Sequence, residues 1–258
     1  GGTSTRRHNK RFSWQFDNIL RWSKEFNKIH RVDVTFLANA ENAKTWSTTA
    51  NASNYSPNDL LGYHALQSGS VVTVISDDTH QSGDALMGRI FYSLKNRYMI
   101  TTSIRRDGYS AFGKKNPRAF FPSVALGWTF TEEDFMPKDG WLNYGKLRLS
   151  WGENGNREIG QYAALARMSS SLLPYIDQAG NIYSTSQIYV TSMANYNLKW
   201  ERTASYNVGI DFELFKSKLA GTIEAYTTRT NDLLVSRALP DITGYKSVMS
   251  NLGQIQNN

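Results

Sequence analysis

A period of two runs through most of this chain, and it constrains the fold more than any other feature. It begins at Phe12-Ser13-Trp14-Gln15-Phe16-Asp17-Asn18-Ile19-Leu20-Arg21-Trp22, where Phe12, Trp14, Phe16, Leu20 and Trp22 share one parity and Arg11, Ser13, Gln15, Asp17 and Arg21 the other. A pleated strand sends alternate side chains to opposite faces, so this segment has one apolar and one polar face. The same alternation returns in Val32, Val34, Phe36 and Ala38, in Leu86, Ile90, Tyr92 and Leu94, and in Tyr98, Ile100 and Ile104. It returns again in Val124, Leu126, Trp128 and Phe130, in Leu147, Leu149 and Trp151, in Ala204, Tyr206, Val208, Ile210 and Phe212, and in Leu219, Ile223 and Ala225. About eight strands of roughly ten residues are expected from these runs.

The connections alternate in length. Short ones are expected at residues 23–29, 95–97, 131–140 and 214–217, and longer ones at 41–83, 107–120, 152–199 and after Thr230. Short and long connections therefore gather at opposite ends, which is the pattern of a transmembrane β-barrel and one that a soluble sandwich has no reason to follow. At the short-turn end the apolar face closes with Trp22, Tyr98, Phe130 or Phe212, a level of amphipathic rings as at a membrane interface. The opposite face carries Arg21, Arg31, Asp33, Arg89, Arg105, Arg148, Asp211 and Glu224. Hydrocarbon rejects these charges and a watery or plugged lumen accepts them. The expectation is therefore that Trp14, Phe16, Val34, Ile90, Ile100, Leu126, Val208 and Ile223 point outward, with Gln15, Asp33, Arg89, Ser103, Ala125, Asn207 and Glu224 inward.

Composition excludes several alternatives. Mean hydropathy is −0.49, and no run of about 18 apolar residues offers a membrane-spanning helix. The 7 Trp, 14 Tyr and 12 Phe supply too much buriable surface for a disordered chain. With no cysteine there are no disulfides, thiol nucleophiles or cysteine–zinc sites. The net charge of +7 suits anionic headgroups or solvation. Nucleic-acid binding is not expected, because the aromatics lie on the face opposite most strand charges. Residues 1–11 show no signal peptide.

Catalytic motifs are missing: no phosphate-binding loop, no His-Glu-x-x-His, no Gly-x-Ser-x-Gly. Asp77, Asp78 and His80 read as a solvated loop cluster rather than a cation site, and Glu132-Glu133-Asp134 as a helix N-terminus rather than a glycosidase pair. No enzyme, cofactor or metal site is expected.

Ser103-Ile104-Arg105-Arg106-Asp107-Gly108-Tyr109-Ser110-Ala111-Phe112-Gly113, then Asn116 and Phe121-Pro122-Ser123-Val124-Ala125-Leu126-Gly127-Trp128, closely resembles the SusC/RagA family of TonB-linked outer-membrane transporters. There a strand ends in Arg-x-Asp-Gly-Ser-Ser-x-Phe-Gly and the returning strand opens with Phe-Pro-Ser; here Tyr109 replaces the first Ser. Ser150-Trp151-Gly152-Glu153-Asn154-Gly155-Asn156, Asn197-Leu198-Lys199-Trp200-Glu201-Arg202-Thr203 through Gly209-Ile210-Asp211-Phe212, Arg229-Thr230-Asn231-Asp232-Leu233-Leu234 and Asn251-Leu252-Gly253 continue the likeness in order over residues 84–258. Residues 1–83 match in strand pattern alone.

The resemblance implies that residues 1–258 are part of an all-β, antiparallel barrel domain from the outer membrane of a Bacteroidota-like bacterium. It implies a barrel of about 22 strands in full-length relatives, with short periplasmic turns and long extracellular loops. Plug and TonB-contacting segments have no counterpart in this chain, so a barrel fragment or a truncated reading frame is expected. Implied partners are a SusD-like surface lipoprotein, TonB through segments absent here, outer-membrane lipid, and an imported oligosaccharide or peptide. Two rival readings stay open, a soluble carbohydrate-binding β-sandwich and a passive porin. Ligand or partner contact is assigned to loop aromatics, first Tyr162, Tyr175, Tyr183 and Tyr189 with Tyr109, then Trp46, Tyr55, Tyr63 and Tyr196. Aromatic faces stack well on sugar rings.

Overall fold

The computed structural model describes residues 2–55, 64–137 and 140–258. Nine strands form one sheet: β1 (Thr3–Phe26), β2 (His30–Tyr55), β3 (Gly69–Leu94), β4 (Tyr98–Tyr109), β5 (Arg118–Trp128), β6 (Leu142–Asn156), β9 (Glu201–Leu214), β10 (Leu219–Asn231) and β13 (Gln254–Asn257). Within the connection from β6 to β9 lie β7 (Arg167–Ile176) and β8 (Ile182–Met193), and within that from β10 to β13 lie β11 (Leu234–Ala238) and β12 (Ser247–Asn251). These four make a second sheet in the order β11-β12-β8-β7. The nine-stranded sheet follows sequence order, and its end strands β1 and β13 are not paired with each other. The barrel is not closed within this chain.

The alternation predicted eight strands, and each has its counterpart in the sheet. The extra strands lie where polar, Ser-rich loop composition hides the period of two. β1, β2 and β3 are also far longer than expected, at 24, 26 and 26 residues. At about 3.3 Å per residue the longest spans some 85 Å, whereas roughly 9–11 tilted residues cross a bilayer. Most of the 41–83 segment, expected as loop, is thus strand that continues past the hydrocarbon. Connections still segregate by end. Among the described residues, 27–29, 95–97, 129–137 with 140–141, and 215–218 lie at one end, and 110–117, 157–200 and 232–253 at the other.

Register settles the faces. Ile100 pairs with Leu126, Leu126 with Leu149, Leu149 with Val208, and Val208 with Ala225. One step away, Met99, Gly127, Arg148, Gly209 and Glu224 form a row on the opposite face. The apolar row is uncovered, with Ile100 40% and Val208 47% exposed. An apolar face left this open suits lipid and excludes a sandwich, whose second sheet would cover it. On the polar face Arg148 forms a two-pronged pair with Asp211 (2.7 and 2.9 Å) and reaches Glu224 at 2.6 Å. Its guanidinium crosses Gly209, where a Cβ would stand 3.1 Å from Nη2. Arg31–Asp33 and Arg105–Asp107 are further ion pairs, at 3.1 and 2.8 Å.

The chain divides into two compact units, Gly1–Phe16 with Ala40–Gly83, and Asp17–Asn39 with Asp84–Asn258. In the first, Lys10 stands over the Trp46 ring at 5.7 Å and Ser4 donates to the Tyr55 hydroxyl at 2.7 Å. The second holds the motif residues and the whole loop sheet. Its short-turn end is built around Glu133, which the sequence suggested as part of a helix N-terminus. Among the described residues only a 3-10 turn forms there, Phe130–Glu132, and Glu133 is drawn into hydrogen bonds with the neighbouring strands. Its carboxylate accepts from the Tyr98 hydroxyl, from Trp128 Nε1 at 2.9 Å and from Arg97 Nη1 at 2.8 Å. The Tyr98 and Trp128 hydrogen bonds hold this carboxyl below the ordinary carboxylate range.

Candidate functional site

The long-loop end of the second unit is organised by an aromatic cluster drawn from three separate motifs. Trp200 stacks on Phe112 (centroids 4.4 Å, planes 20° apart) and meets Phe121 edge-on at 5.7 Å. Tyr109 meets Phe112 edge-on at 6.3 Å. Phe112, Phe121 and Trp200 are all buried. Two glycines make room: a Cβ at Gly155 would overlap the Phe121 ring, and one at Gly113 would overlap the Tyr196 carbonyl. Close approach of backbone or ring is what a missing Cβ permits.

Polar motif residues lock the loops to this cluster. Asn116 Nδ2 donates to the Asn197 carbonyl at 3.1 Å. Asn251 mimics a strand partner, its Oδ1 accepting from Lys199 N–H and its Nδ2 donating to the Lys199 and Asp232 carbonyls, each at 2.9 Å. Glu201 accepts from Leu234 N–H at 3.2 Å and from Asn156 Nδ2 at 3.3 Å. Asp84 receives Arg106 and Arg118, at 3.2 and 3.0 Å.

On this platform stands the β7–β8 ribbon, with two unlike faces. Met168, Leu172, Ile176, Ile182 and Ile188 share one, and all five are at least 69% exposed. Ser169, Ser171, Tyr175, Tyr183, Gln187 and Tyr189 share the other. Tyr175 and Tyr183 face each other across the ladder and stack with centroids 5.5 Å apart. The turn beneath them is fixed by Asp177, whose Oδ1 accepts from the Ala179 and Asn181 N–H groups (2.9 and 2.8 Å) and whose Oδ2 accepts from Asn181 Nδ2 at 3.0 Å. The Asn181 hydrogen bonds hold the Asp177 carboxyl below its usual range.

Of the tyrosines assigned from sequence, Tyr175 and Tyr183 come together. Tyr189 lies apart from them, lining a cleft of about 520 Å³ with Asp241, Tyr245 and Lys246 of the β11–β12 turn. Tyr109 packs in the aromatic cluster under Arg157, 5.3 Å from its ring. Tyr162 sits at φ +57° in a turn of the connection from β6 to β7. Tyr63 lies outside the described residues. Tyr245, Asp241 and Lys246 were missed by sequence reasoning; the signal was Pro240-Asp241-Ile242-Thr243-Gly244, a turn between two short apolar runs. Asp77, Asp78 and His80 fall within β3 and not in a loop, with Asp77 of opposite parity to the other two. His80 Nε2 is 2.8 Å from Asn42 Nδ2. Among the described residues no three His, Cys, Asp or Glu side chains converge as metal ligands, and no helix is long and apolar enough to cross a membrane.

The TonB-dependent receptor-like β-barrel family model matches residues 1–258. TonB-dependent receptor P39 of Formosa agariphila is 32% identical over 254 residues, covering 97% of this chain and 23% of the relative. TonB-dependent receptor SusC of Bacteroides thetaiotaomicron is 39% identical over 174 residues, covering 66% and 17%. The RagAB peptide transporter structure shares the fold, with a TM-score of 0.84 at 22% identity over 98% of this chain and 27% of that one. The chain spans about a quarter of the length of the first three curated relatives. An uncovered apolar sheet face, segregated connections and this match over the full chain agree: the chain belongs to the TonB-dependent receptor-like β-barrel family of the outer membrane.

Proposed function

We propose that this chain serves TonB-dependent import of oligosaccharides or peptides across the outer membrane, in company with a SusD-like surface lipoprotein. The β7–β8 ribbon is the observation that carries the reading. A connection of this length is rarely idle, and its two faces suit two tasks. Tyr175, Tyr183 and Tyr189 with Ser171 and Gln187 present rings and neutral hydrogen-bonding groups to a polar ligand, as stacking on sugar or peptide planes requires. Met168, Leu172, Ile176, Ile182 and Ile188 offer an apolar face of the kind that marks protein contact. Energy for transport comes from outside these strands, and their part is to bind and to line the path.

Replacing residues 167–193 with a short Gly-Ser linker in the intact transporter tests this. Strand pairing in the main sheet does not depend on the ribbon, so the barrel is expected to assemble. Uptake or lipoprotein association is expected to fall. A deleted protein that imports at the normal rate with its partner bound normally would refute the assignment.

A further inference from the structure

The apolar sheet face carries a groove of about 390 Å³ at its short-turn end. Ile100, Leu126 and Leu147 line it together with the rings of Tyr92, Tyr98 and Trp128. The polar atoms of all three rings are engaged elsewhere, Tyr92 with His30 Nδ1 at 2.8 Å and Tyr98 and Trp128 with Glu133. The groove is therefore left apolar. Beside its mouth the β1–β2 and β3–β4 turns lie together, joined by the Lys95 N–H donating to the Ile29 carbonyl at 2.6 Å. Their tips present Lys28 and Lys95, both exposed and both with left-handed backbone, φ +60° and +53°. Neither lysine has a carboxylate partner among the described residues, whereas the neighbouring Arg97 is held by Glu133 at 2.8 Å. Glu132 and the fully exposed Asp134, on the connection after β5, disfavour an anion near that connection.

We propose that this groove and these two lysines form a site for an anionic glycerophospholipid of the periplasmic leaflet, an acyl chain lying in the groove and the phosphate meeting Lys28 and Lys95. An apolar slot, a belt of amphipathic rings and unpaired cations just beyond it follow the order of chain, interface and headgroup in such a lipid. The periplasmic source follows from the end that carries the short turns. The inference uses the membrane placement of the apolar face but not the import function.

The test is native mass spectrometry of the protein purified in non-ionic detergent with phosphatidylglycerol or phosphatidylcholine of identical chains. Attraction of roughly fivefold per lysine predicts retention of phosphatidylglycerol more than tenfold over phosphatidylcholine, weakening as salt is added. Lys28→Asn with Lys95→Asn keeps residues that tolerate left-handed backbone and is expected to bring the ratio near one, while Lys28→Arg with Lys95→Arg preserves it. Glycerol 3-phosphate alone is expected not to displace the lipid. Equal retention of both lipids by the unaltered protein, a preference that survives the asparagine variant, displacement by glycerol 3-phosphate, or a stronger preference for lipopolysaccharide would each overturn the proposal. A protein that enters vesicles yet shows no lipid preference refutes it while leaving the membrane placement intact.

Discussion

An arginine placed on the apolar face should cost stability according to its depth, and the register sets that depth. On β4 the outward residues run from Tyr98, at the aromatic level, through Ile100, Thr102 and Ile104 to Arg106, where charge returns in the pair with Asp84. Eight residues at about 3.3 Å and a tilt near 40° give an apolar band roughly 20 Å tall. Its middle falls at Thr102 and its partner Val124, with Trp151 and Tyr206 in the same row. Ile100 lies about 5 Å nearer the short-turn interface, so the midplane belongs to Val124. Val124→Arg in the intact barrel should therefore cost about 2–4 kcal/mol, and Ile100→Arg about 1–2 kcal/mol. Thr101→Arg, one residue on but facing the lumen beside Ala125, should cost under about 1 kcal/mol. Ser103→Arg is a poorer lumen control, because it breaks the 2.7 Å hydrogen bond to Ser123 and adds about 1 kcal/mol. Denaturant titration of each variant refolded into vesicles measures these differences. Equal costs at Val124 and Thr101, or a greater cost at Thr101, would refute the assignment of faces.

Trp200→Ala removes the centre of the cluster formed with Phe112 and Phe121 and is expected to cost about 3–5 kcal/mol, read from the same titration, with the loops more open to protease. Because the folded Glu133 carboxyl titrates below its usual range, its contribution is complete above about pH 4.3 and is lost as pH falls through the lower folded value. Trp128 fluorescence should therefore hold steady from neutrality down to about pH 5 and change in stronger acid, and Glu133→Gln should abolish that transition. A protease added to intact cells is expected to cut within residues 157–200 and to spare 95–97; cleavage confined to the short turns would invert the topology.

The alternation of Phe12, Trp14 and Phe16 or of Val208, Ile210 and Phe212 determined strand type and face directly, because a pleat repeats every two residues whatever surrounds it. The alternation of connection length likewise placed the two ends. Sequence could not mark where β2 and β3 stop, since strands continuing past the hydrocarbon exchange apolar residues for polar ones and look like loop. Nor could it show that Arg148 bridges Asp211 and Glu224 across Gly209, because those partners lie 63 and 76 residues away and meet through register alone. The tyrosines show the same division. Their presence in long loops was legible, but pairing on the β7–β8 ladder joined Tyr175 to Tyr183, burial of the Phe112–Trp200 stack drew Tyr109 into packing, and the parallel meeting of β8 with β12 gave Tyr189 its neighbours. Composition supplies the rings, whereas the long-range pairing of distant strands decides which of them share a surface.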